Sequence, residues 1–519
     1  MKTQESILDA IERVSSEGEA SADRKAELAK AHHVPLSRVE SLLSFYEADR
    51  GEDRICTGLP CLMKRNSGSG TPEPDGMAKS SCLGYCGHAP VMRINGKYVS
   101  GTMESYREIP ESTGEYVTKM RENIEKYISR GGYTSLNALM VTGSKIDILS
   151  MVEKSGLRGM GGAGFPVAAK WKSFIQNRTD DSYLLVNAHE GEPGTFKDRE
   201  ILELNPHAFL EGALITARVN CIWRIVIGLK KEYKLAAESL EKAISEMREM
   251  YGVRETKTLL PEITVARVGG SYVTGEETAL MEAIEGRRSE PRLRPPFPTE
   301  IGLFGKPTLV HNVETLAAVA QLSREKDGSI FKRYSITGDV DAPGLYRIRL
   351  GSPAGEVIEK KGKTDPGDVK AIMPGGLSGG ILPFTADLKL DFDSVRSAGA
   401  GFGTGAMIVL SRERCIVDTL LETARFFRDE SCGKCMPCRY GTRELVRVLE
   451  DVTSGKTSEG ELKQAMKTAN AMIDGSICAL GQADGRVFID TVARFGKEFD
   501  DHIDEICEAG VCHFGSVKQ

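Results

Sequence analysis

Near the amino terminus, apolar residues recur at helical spacing: Ile7, Ile11 and Val14, then Val39, Leu42 and Leu43. Residues 1–50 are therefore read as a helical segment, with Pro35 and Ser37 marking a helix start in "HVPLSRVESLLSFY". The period changes over residues 51–110. That stretch holds four cysteines, the turn-forming "NSGSGTPEPDG", and "PVMRINGKYVSG", whose Asn-Gly pair predicts a strand turn. "YVTKMRENIEKYI" predicts a helix that ends before Gly131 and Gly132. Over residues 131–330, strand-like "YLLVNA", "IWRIVIGL" and "ITVARV" alternate with helical runs such as "KLAAESLEKAISEMREMY", an α/β pattern. Residues 331–410 are rich in strand and glycine and predict a small β-containing domain. Helical spacing returns over 411–505, and 506–519 is left as a tail. The fold class expected is thus multidomain α/β. No repeat of solenoid period is present.

The chain of 519 residues is long enough for three or more domains. Its 68 basic and 74 acidic residues leave a charge of −6 without a long basic run, which argues against a nucleic-acid partner. The opening "MKTQESILDA" lacks the apolar core of a signal peptide, and runs such as "GAMIVL" are too short to span a bilayer. A cytoplasmic protein without direct membrane insertion is expected.

Twelve cysteines in a chain with no export signal point to metal ligands before disulfides. Cys432, Cys435 and Cys438 are spaced C-x2-C-x2-C, and Cys478 follows in "GSICALGQ". Three close thiolates and one remote are the habit of a [4Fe-4S] cubane, whereas zinc usually takes two pairs. Gly433 and Pro437 favour a wrapping loop, and Lys434 and Arg439 offset the cluster's negative charge. Cys56 and Cys61, then Cys82 and Cys86, form two pairs that suit a [2Fe-2S] cluster, with zinc as the competitor. Cys221 and Cys415 stand alone in apolar surroundings and read as buried structural thiols. Cys507 and Cys512, in "CEAGVCHFG", cannot fill a tetrahedral site without His513 or a partner, so the tail is expected to be unliganded.

"GLRGMGGAGFPVAAKW" contains G-x-G-x-x-G at Gly159, Gly161 and Gly164. The preceding "KIDILSMVEKSGLR" is helical in pattern, so the strand that a Rossmann unit needs before its glycines is missing. The local physics of a phosphate cradle remains: glycines that admit close backbone approach, a following helix start, and Lys170. In "NAHEGEPGTFKDRE", Glu190 and Glu192 stand at the carboxyl end of a strand, where α/β sheets bind ligands. Glu276 and Glu277, in "GGSYVTGEETALMEAIEG", are a second acidic pair, equally explained as a favourable helix start.

The segments "RGMGGAGFP", "NAHEGEPGTFKDRE", "GSYVTGEETALMEAIEGRRSEPRLRPPFP", "GKPTLVHNVETL", "ESCGKCMPCRYGT" and "ICALG" together resemble the family of the 51-kDa flavin-bearing, NADH-oxidising subunit of respiratory complex I. Relatives of that family occur in NAD-linked hydrogenases and formate dehydrogenases. "HVPLSRVESLLSFY" and "CLGYCGHAPVMRINGKY" resemble its thioredoxin-like 24-kDa [2Fe-2S] companion, here shortened and fused. The resemblance implies an N-terminal helical segment over 1–50 and a shortened thioredoxin-like [2Fe-2S] domain over 51–110. It further implies an FMN- and NADH-binding α/β domain over 131–330, a β-grasp-like domain over 331–410 and a helical [4Fe-4S] domain over 411–505. It implies hydride transfer between NADH and FMN, then single-electron transfer through both clusters to other redox subunits of a hetero-oligomer. Flavin carries the hydride, so no side chain is expected to act as acid, base or nucleophile.

By the same resemblance, Gly159, Gly161, Gly162 and Lys170 hold flavin or nucleotide phosphates, and Phe165 stacks on the nicotinamide nucleotide. Glu190, Glu192 and Glu277 line the NADH side, with Glu276 beside them, while Asn187, Tyr272 and Asn312 contact FMN. The chain departs from the family at His189, where Asp is usual, and at His311, where Asn is common. An imidazole at His189 is expected to raise the flavin potential, because reduced flavin is anionic. The aromatic usual two positions after Trp171 is replaced by Ser173, with Phe174 next to it. A flavin-poor electron-wiring subunit is the alternative to an NADH dehydrogenase.

Overall fold

In a computed structural model of the chain, residues 121–142, 145–251, 260–324 and 329–514 are described throughout. Before 121 the described residues fall in shorter stretches, chiefly 21–32, 53–66, 77–80, 89–94, 97–101 and 106–108. Helix α1 (Ala22–Ala31) starts at Ser21, whose hydroxyl accepts a bond from the Arg24 amide. Ile11, Val14, Leu28 and Val39 bury one another, as the amino-terminal spacing predicts. Ile7, Leu42 and Leu43 lie outside the described residues.

The next unit is a five-stranded sheet in the order β2-β1-β3-β4-β5. It comprises β1 (Arg54–Cys56), β2 (Ala78–Ser80), β3 (Val91–Ile94), β4 (Lys97–Gly101) and β5 (Tyr106–Glu108), with α2 (Leu59–Asn66) between β1 and β2. β3 and β4 pair antiparallel, Val91 opposite Ser100, where the sequence predicts a hairpin; Asn95 and Gly96 themselves are outside the described residues. Helix α2 packs outward: Leu59 and Met63 share a core with Val273, Ile408, Cys438 and Leu480.

Helices α3 (Ile124–Ser129), α4 (Thr134–Thr142) and α5 (Lys145–Ser155) lead to the glycine loop, which enters α6 (Val167–Asn177). Four parallel strands follow: β6 (Tyr183–Ala188), β7 (Arg224–Lys230), β8 (Glu262–Val268) and β9 (Thr308–Asn312). Parallel pairing demands crossovers, supplied by α7 (Lys197–Leu204), α8 (Pro206–Val219), α9 (Lys234–Met250) and α10 (Glu277–Ile284). Helix α11 (Val313–Leu322) leaves β9 and lies against α8 so closely that a Cβ on Gly212 would sit 1.7 Å from the Leu316 carbonyl oxygen. Leu184, Val186, Ile225 and Ile227 are buried on one face of this sheet and Leu185, Val226 and Val310 on the other, as expected of a sheet covered on both faces. The strand order is β8-β7-β6-β9. The chain steps away from β6 on one side through β7 and β8, then returns to its other side with β9. The resulting switch point falls at the carboxyl ends of β6 and β9, where α/β sheets usually open a ligand crevice.

A second, mixed sheet has the order β11-β10-β14-β12-β13, from β10 (Phe331–Gly338), β11 (Gly344–Arg349), β12 (Val369–Met373), β13 (Leu382–Pro383) and β14 (Ala406–Ser411). Five helices complete the described chain: α12 (Ile416–Asp429), α13 (Met436–Thr453), α14 (Glu459–Gly475), α15 (Ala479–Arg494) and α16 (Gly496–Ile503). Leu420, Leu445, Leu449 and Phe488 form their core. Cys507 and Cys512 pack back onto that core, because they meet two partners that stand far away in sequence, Cys415 and His502. No described helix is long and apolar enough to cross a membrane.

Candidate functional site

The glycine loop lies at the switch point. Helix α5 precedes it, so the strand–loop–helix order of a Rossmann unit is absent, as the sequence indicates. The Gly159 amide donates to the Phe165 carbonyl and the Val167 amide to that of Leu157, both at 2.9 Å, which closes a narrow hairpin. Gly161 rests on Asn312: a Cβ there would lie 2.8 Å from the Asn312 Cβ. Gly162 and Gly164 have φ of +134° and +63°, a region closed to most side chains, and a Gly164 Cβ would also meet the Phe392 ring at 2.6 Å. Phe165, paired opposite Gly159, is 55% exposed. The loop delivers the chain to the first turn of α6, where free amides and Lys170 favour an anion.

A buried ionic set supports the loop from below. The Asn312 side chain accepts from the Glu314 amide at 3.0 Å, capping α11, and donates to Asp198 at 2.6 Å. Lys197 donates to Asp198 at 2.7 Å and to Asn312 at 3.3 Å. Lys332 reaches in from β10 to Glu314 at 2.9 Å and to the Met160 carbonyl at 3.4 Å. Burial opposes ionisation of Glu314, but Lys332 and Lys197 outweigh it and hold the carboxyl below its ordinary range. The alternation of charges is what makes so deep a group of ions tolerable.

The four acids named from sequence do different jobs. Glu190 is buried and accepts from Thr195 Oγ1 and from the amides of Lys197, Asp198 and Arg199 at 2.9–3.3 Å, which makes it the anion at the α7 amino terminus. Glu192 is buried too; it accepts from the Tyr272 hydroxyl at 2.6 Å and from the Ser378 amide and hydroxyl, each at 2.9 Å. Burial pushes its carboxyl above the ordinary range despite those donors. Glu276 caps α10 through the amides of Thr278 and Ala279, both at 2.9 Å, as an acid at a helix start does. Glu277 alone faces the cation that follows the glycine loop, with Lys170 at 3.1 Å, and Arg294 lies 3.3 Å away. Against the cost of burial, Lys170 and Arg294 hold its carboxyl below the usual carboxylate range.

The strand ends complete the crevice. The Asn187 side chain donates to the Gly275 carbonyl at 2.7 Å and accepts from the His189 amide at 3.2 Å. The His189 ring is buried, and neither of its nitrogens has a hydrogen-bond partner. Burial first, then the Lys230 charge, depress its pKa to about 3, so the imidazole is neutral at physiological pH. A buried ring with two orphaned nitrogens beside an anion cradle fits a site whose polar contacts come from a bound group. His311 differs: it accepts from Trp171 Nε1 at 2.8 Å, and burial followed by Lys170 keeps it neutral. It therefore serves as the partner of a core tryptophan.

Tyr272 links this crevice to the cysteines. Its hydroxyl is on Glu192, its amide donates to Glu430 at 2.7 Å, and its ring meets Phe426 edge-on at 5.0 Å. Glu430 opens the cysteine loop. Arg288 donates to the Cys432 carbonyl at 3.1 Å and Lys434 to that of Pro291 at 2.9 Å, so three straps join residues 272–291 to the loop. Cys435 and Cys478 occupy the N-caps of α13 and α15, and Cys432, Cys435, Cys438 and Cys478 pack into one cluster. Burial pushes Cys438 up to about 12 and Cys478 up to about 11. Thiols so placed ionise when a cation compensates them, which is the donor chemistry of an iron–sulfur group. At the front of the chain Cys56 and Cys61 are buried against Val91 and Tyr98, and Cys86 accepts from the Gly194 amide at 3.3 Å. Cys82 lies outside the described residues.

Residues 152–321 match the Nuo51 FMN-binding domain, and residues 418–502 match the NADH-ubiquinone oxidoreductase-F iron-sulfur binding region. An NADH-quinone oxidoreductase subunit of Rhizobium meliloti is 35% identical over 401 residues, which cover 74% of this chain and 94% of that protein. The chain belongs to this family of NADH-quinone oxidoreductase subunits. The NADP-reducing hydrogenase subunit HndC of Solidesulfovibrio fructosivorans is 34% identical over 411 residues, 75% of this chain and 83% of that one. In structure the chain is similar to a chain of an NAD+-reducing [NiFe]-hydrogenase in its H2-reduced state, with TM-score 0.79, 27% identity and coverage of 97% and 94%.

For a member of the NADH-quinone oxidoreductase family, the replacement at Ser173 has a structural outcome: Phe174 is fully buried in the core of the α/β unit. Lys197, Asp198, Ser378 and Lys332 belong to the site and were not singled out from the sequence. Lys197 and Asp198 sit in the quoted "GTFKDRE", so their place beside Glu190 was a usable signal; Lys332 and Ser378 come from a separate sheet, and only the fold brings them in.

Proposed function

We propose that this chain is the NADH-oxidising or NAD+-reducing flavoprotein subunit of a larger redox assembly. FMN at the glycine loop would exchange a hydride with NADH and electrons singly with a [4Fe-4S] cluster on Cys432, Cys435, Cys438 and Cys478, and a [2Fe-2S] cluster on Cys56, Cys61, Cys82 and Cys86 would share the path. The chain's own residues bind and orient. Gly159, Gly161 and Gly162 let backbone amides approach phosphate, Lys170 neutralises it, Phe165 offers an exposed ring for stacking, and Glu277 holds Lys170 in place. His189 is placed to donate one hydrogen bond from a neutral ring. Asn187, Tyr272 and Asn312 fix the crevice walls.

The supporting domain reading is an N-terminal helical segment over 1–50, a shortened thioredoxin-like domain over 51–110, an FMN-binding α/β domain over 131–330, a β-grasp-like domain over 331–410 and a helical cluster domain over 411–505. The single observation that carries the function is the strap from Glu192 through Tyr272 to Glu430, which joins the segment after β6 to the cysteine loop. The partners proposed are the other redox subunits of a complex I-like, hydrogenase or formate dehydrogenase assembly. The test is the purified chain with NADH and methyl viologen. Turnover with a flavin absorbance band is expected, and Cys478→Ser should keep the flavin and lose the cubane EPR signal. Bound iron without flavin or turnover would sink the reading in favour of an electron-wiring subunit.

A further inference from the structure

Three of the four cysteines left over from both cluster sets meet at the far end of the helical unit. Cys415 is the N-cap of α12, His502 lies in the last turn of α16, and Cys507 and Cys512 follow it. One ligand atom from each lies within 4.8 Å of every other. Cys415 Sγ and Cys512 Sγ are each 3.3 Å from His502 Nε2 and 3.8 Å from one another. Bonds of about 2.3 Å to sulfur and about 2.0 Å to nitrogen in a tetrahedron place sulfurs about 3.8 Å apart and nitrogen about 3.5 Å from sulfur. The spacings among Cys415, Cys512 and His502 are close to those values, and Cys507 lies within 4.8 Å of all three. A cluster of several irons attaches its thiolates to different metal atoms and spreads them wider.

The surroundings fit the same ion. His502 Nδ1 lies 2.6 Å from the Glu498 carbonyl, so it carries the ring proton and leaves the Nε2 lone pair directed at the sulfurs. The Asp418 amide donates to Cys415 Sγ at 3.4 Å, as it would to a thiolate. Three thiolates and an imidazole select a soft or borderline cation over magnesium or calcium. Four protein ligands leave no open position, which is the mark of a structural site.

We infer that Cys415, His502, Cys507 and Cys512 bind a single structural zinc ion. The ion ties the last described residues to the amino end of α12, whose carboxyl end delivers Glu430 and the cysteine loop. It thereby braces the helix on which that loop hangs. The site is independent of the proposed flavin and cluster roles, and stands if those fail.

The test is metal analysis of the anaerobically purified full chain, with zinc and iron measured on the same sample. About one zinc per chain is expected, with an X-ray absorption shell of three sulfurs and one nitrogen. Cys512→Ser and Cys507→Ser should each lower zinc occupancy about tenfold or more while iron content holds. His502→Cys, which keeps a four-ligand site, should retain zinc and change the shell to four sulfurs. Zinc below about a tenth of an equivalent after incubation with zinc salt, a Cys415–Cys512 disulfide in its place, or full zinc retention in both serine variants would overturn the inference.

Discussion

Two glycines of one motif should respond unequally to the same methyl group. At Gly159 an added Cβ would have its nearest neighbour, the Phe165 carbonyl oxygen, at 3.6 Å, an ordinary contact. At Gly161 it would sit 2.8 Å from the Asn312 Cβ and 3.2 Å from its Cγ. Asn312 has no room to yield. Its amide is fixed by Asp198 at 2.6 Å, Lys197 at 3.3 Å and the Glu314 amide at 3.0 Å. In Gly161→Ala the loop must move instead, and overpacking of this kind costs roughly 1–3 kcal/mol. If the loop relieves that strain by lifting away from the crevice, flavin affinity falls by a factor of about 5 to 150, since 1.4 kcal/mol is tenfold. The assay is flavin retention after gel filtration, together with a dissociation constant from flavin fluorescence of the stripped protein. Iron content serves as the control for folding. Gly159→Ala should hold flavin within about threefold of the parent, under 1 kcal/mol. Equal losses in the two variants, or full retention in Gly161→Ala, would refute the claim that contact with Asn312 sets the loop height.

His189→Asp should lower the flavin midpoint potential in a redox titration, because a carboxylate beside Lys230 repels reduced flavin where a neutral ring does not; an unchanged potential removes the idea. The same residue ties stability to pH. Its folded pKa of about 3 lies below the ordinary 6.5, so under pH 6.5 the unfolded chain gains a proton that the folded chain refuses. Its contribution is intact above pH 6.5 and is lost as pH falls toward 3, by about 2 kcal/mol at pH 5. In denaturation of parent and His189→Asn, the variant should lose less stability between pH 7.5 and 5, and parallel pH profiles would contradict this. Glu430→Gln weakens the acceptor of the Tyr272 amide, so stopped-flow mixing with NADH should show slower iron–sulfur bleaching with flavin bleaching unaltered, and equal rates would count against the strap. Glu277→Gln leaves Lys170 without its carboxylate, while Arg294 keeps Glu276, and should shift kcat/KM toward NADPH, whereas Glu192→Gln should cost flavin content without changing that preference; the reverse pattern would reassign the two acids.

What could be read from the sequence was whatever depends on local spacing. The α/β alternation, the helical carboxyl-terminal unit and the C-x2-C-x2-C loop each follow from residues close together in the chain, and the structure forms each one there. The failed Rossmann context was legible for the same reason, since α5 and the glycine loop are adjacent. The reading stopped where residues meet across the fold. Cys415 looked solitary and Cys507 and Cys512 looked like a pair short of two ligands, because 87 residues separate Cys415 from His502. His502 carries no local mark that distinguishes it from a surface histidine on an amphipathic helix.

The acidic residues show a second limit, one of chemistry more than distance. All four were visible as carboxylates near a strand end or helix start, and residue type alone gives each an equal claim on a nucleotide. The claim is decided by who else is present. Glu190 meets three amides of a helix that begins seven residues later, Glu192 meets Ser378 from another sheet, and Glu276 meets the helix it opens. Each is thereby committed to holding protein together. Glu277 is left with cations only, one of them just past the glycine loop, so its charge remains negotiable when a phosphate arrives. A loop of amides, one exposed ring, the unpartnered His189 ring and the ion pairs of Glu277 then make up the adaptable surface described in the crevice. Its rigidity comes from carboxylates bonded within the protein, so mutating them should unseat the flavin before it alters what the site selects.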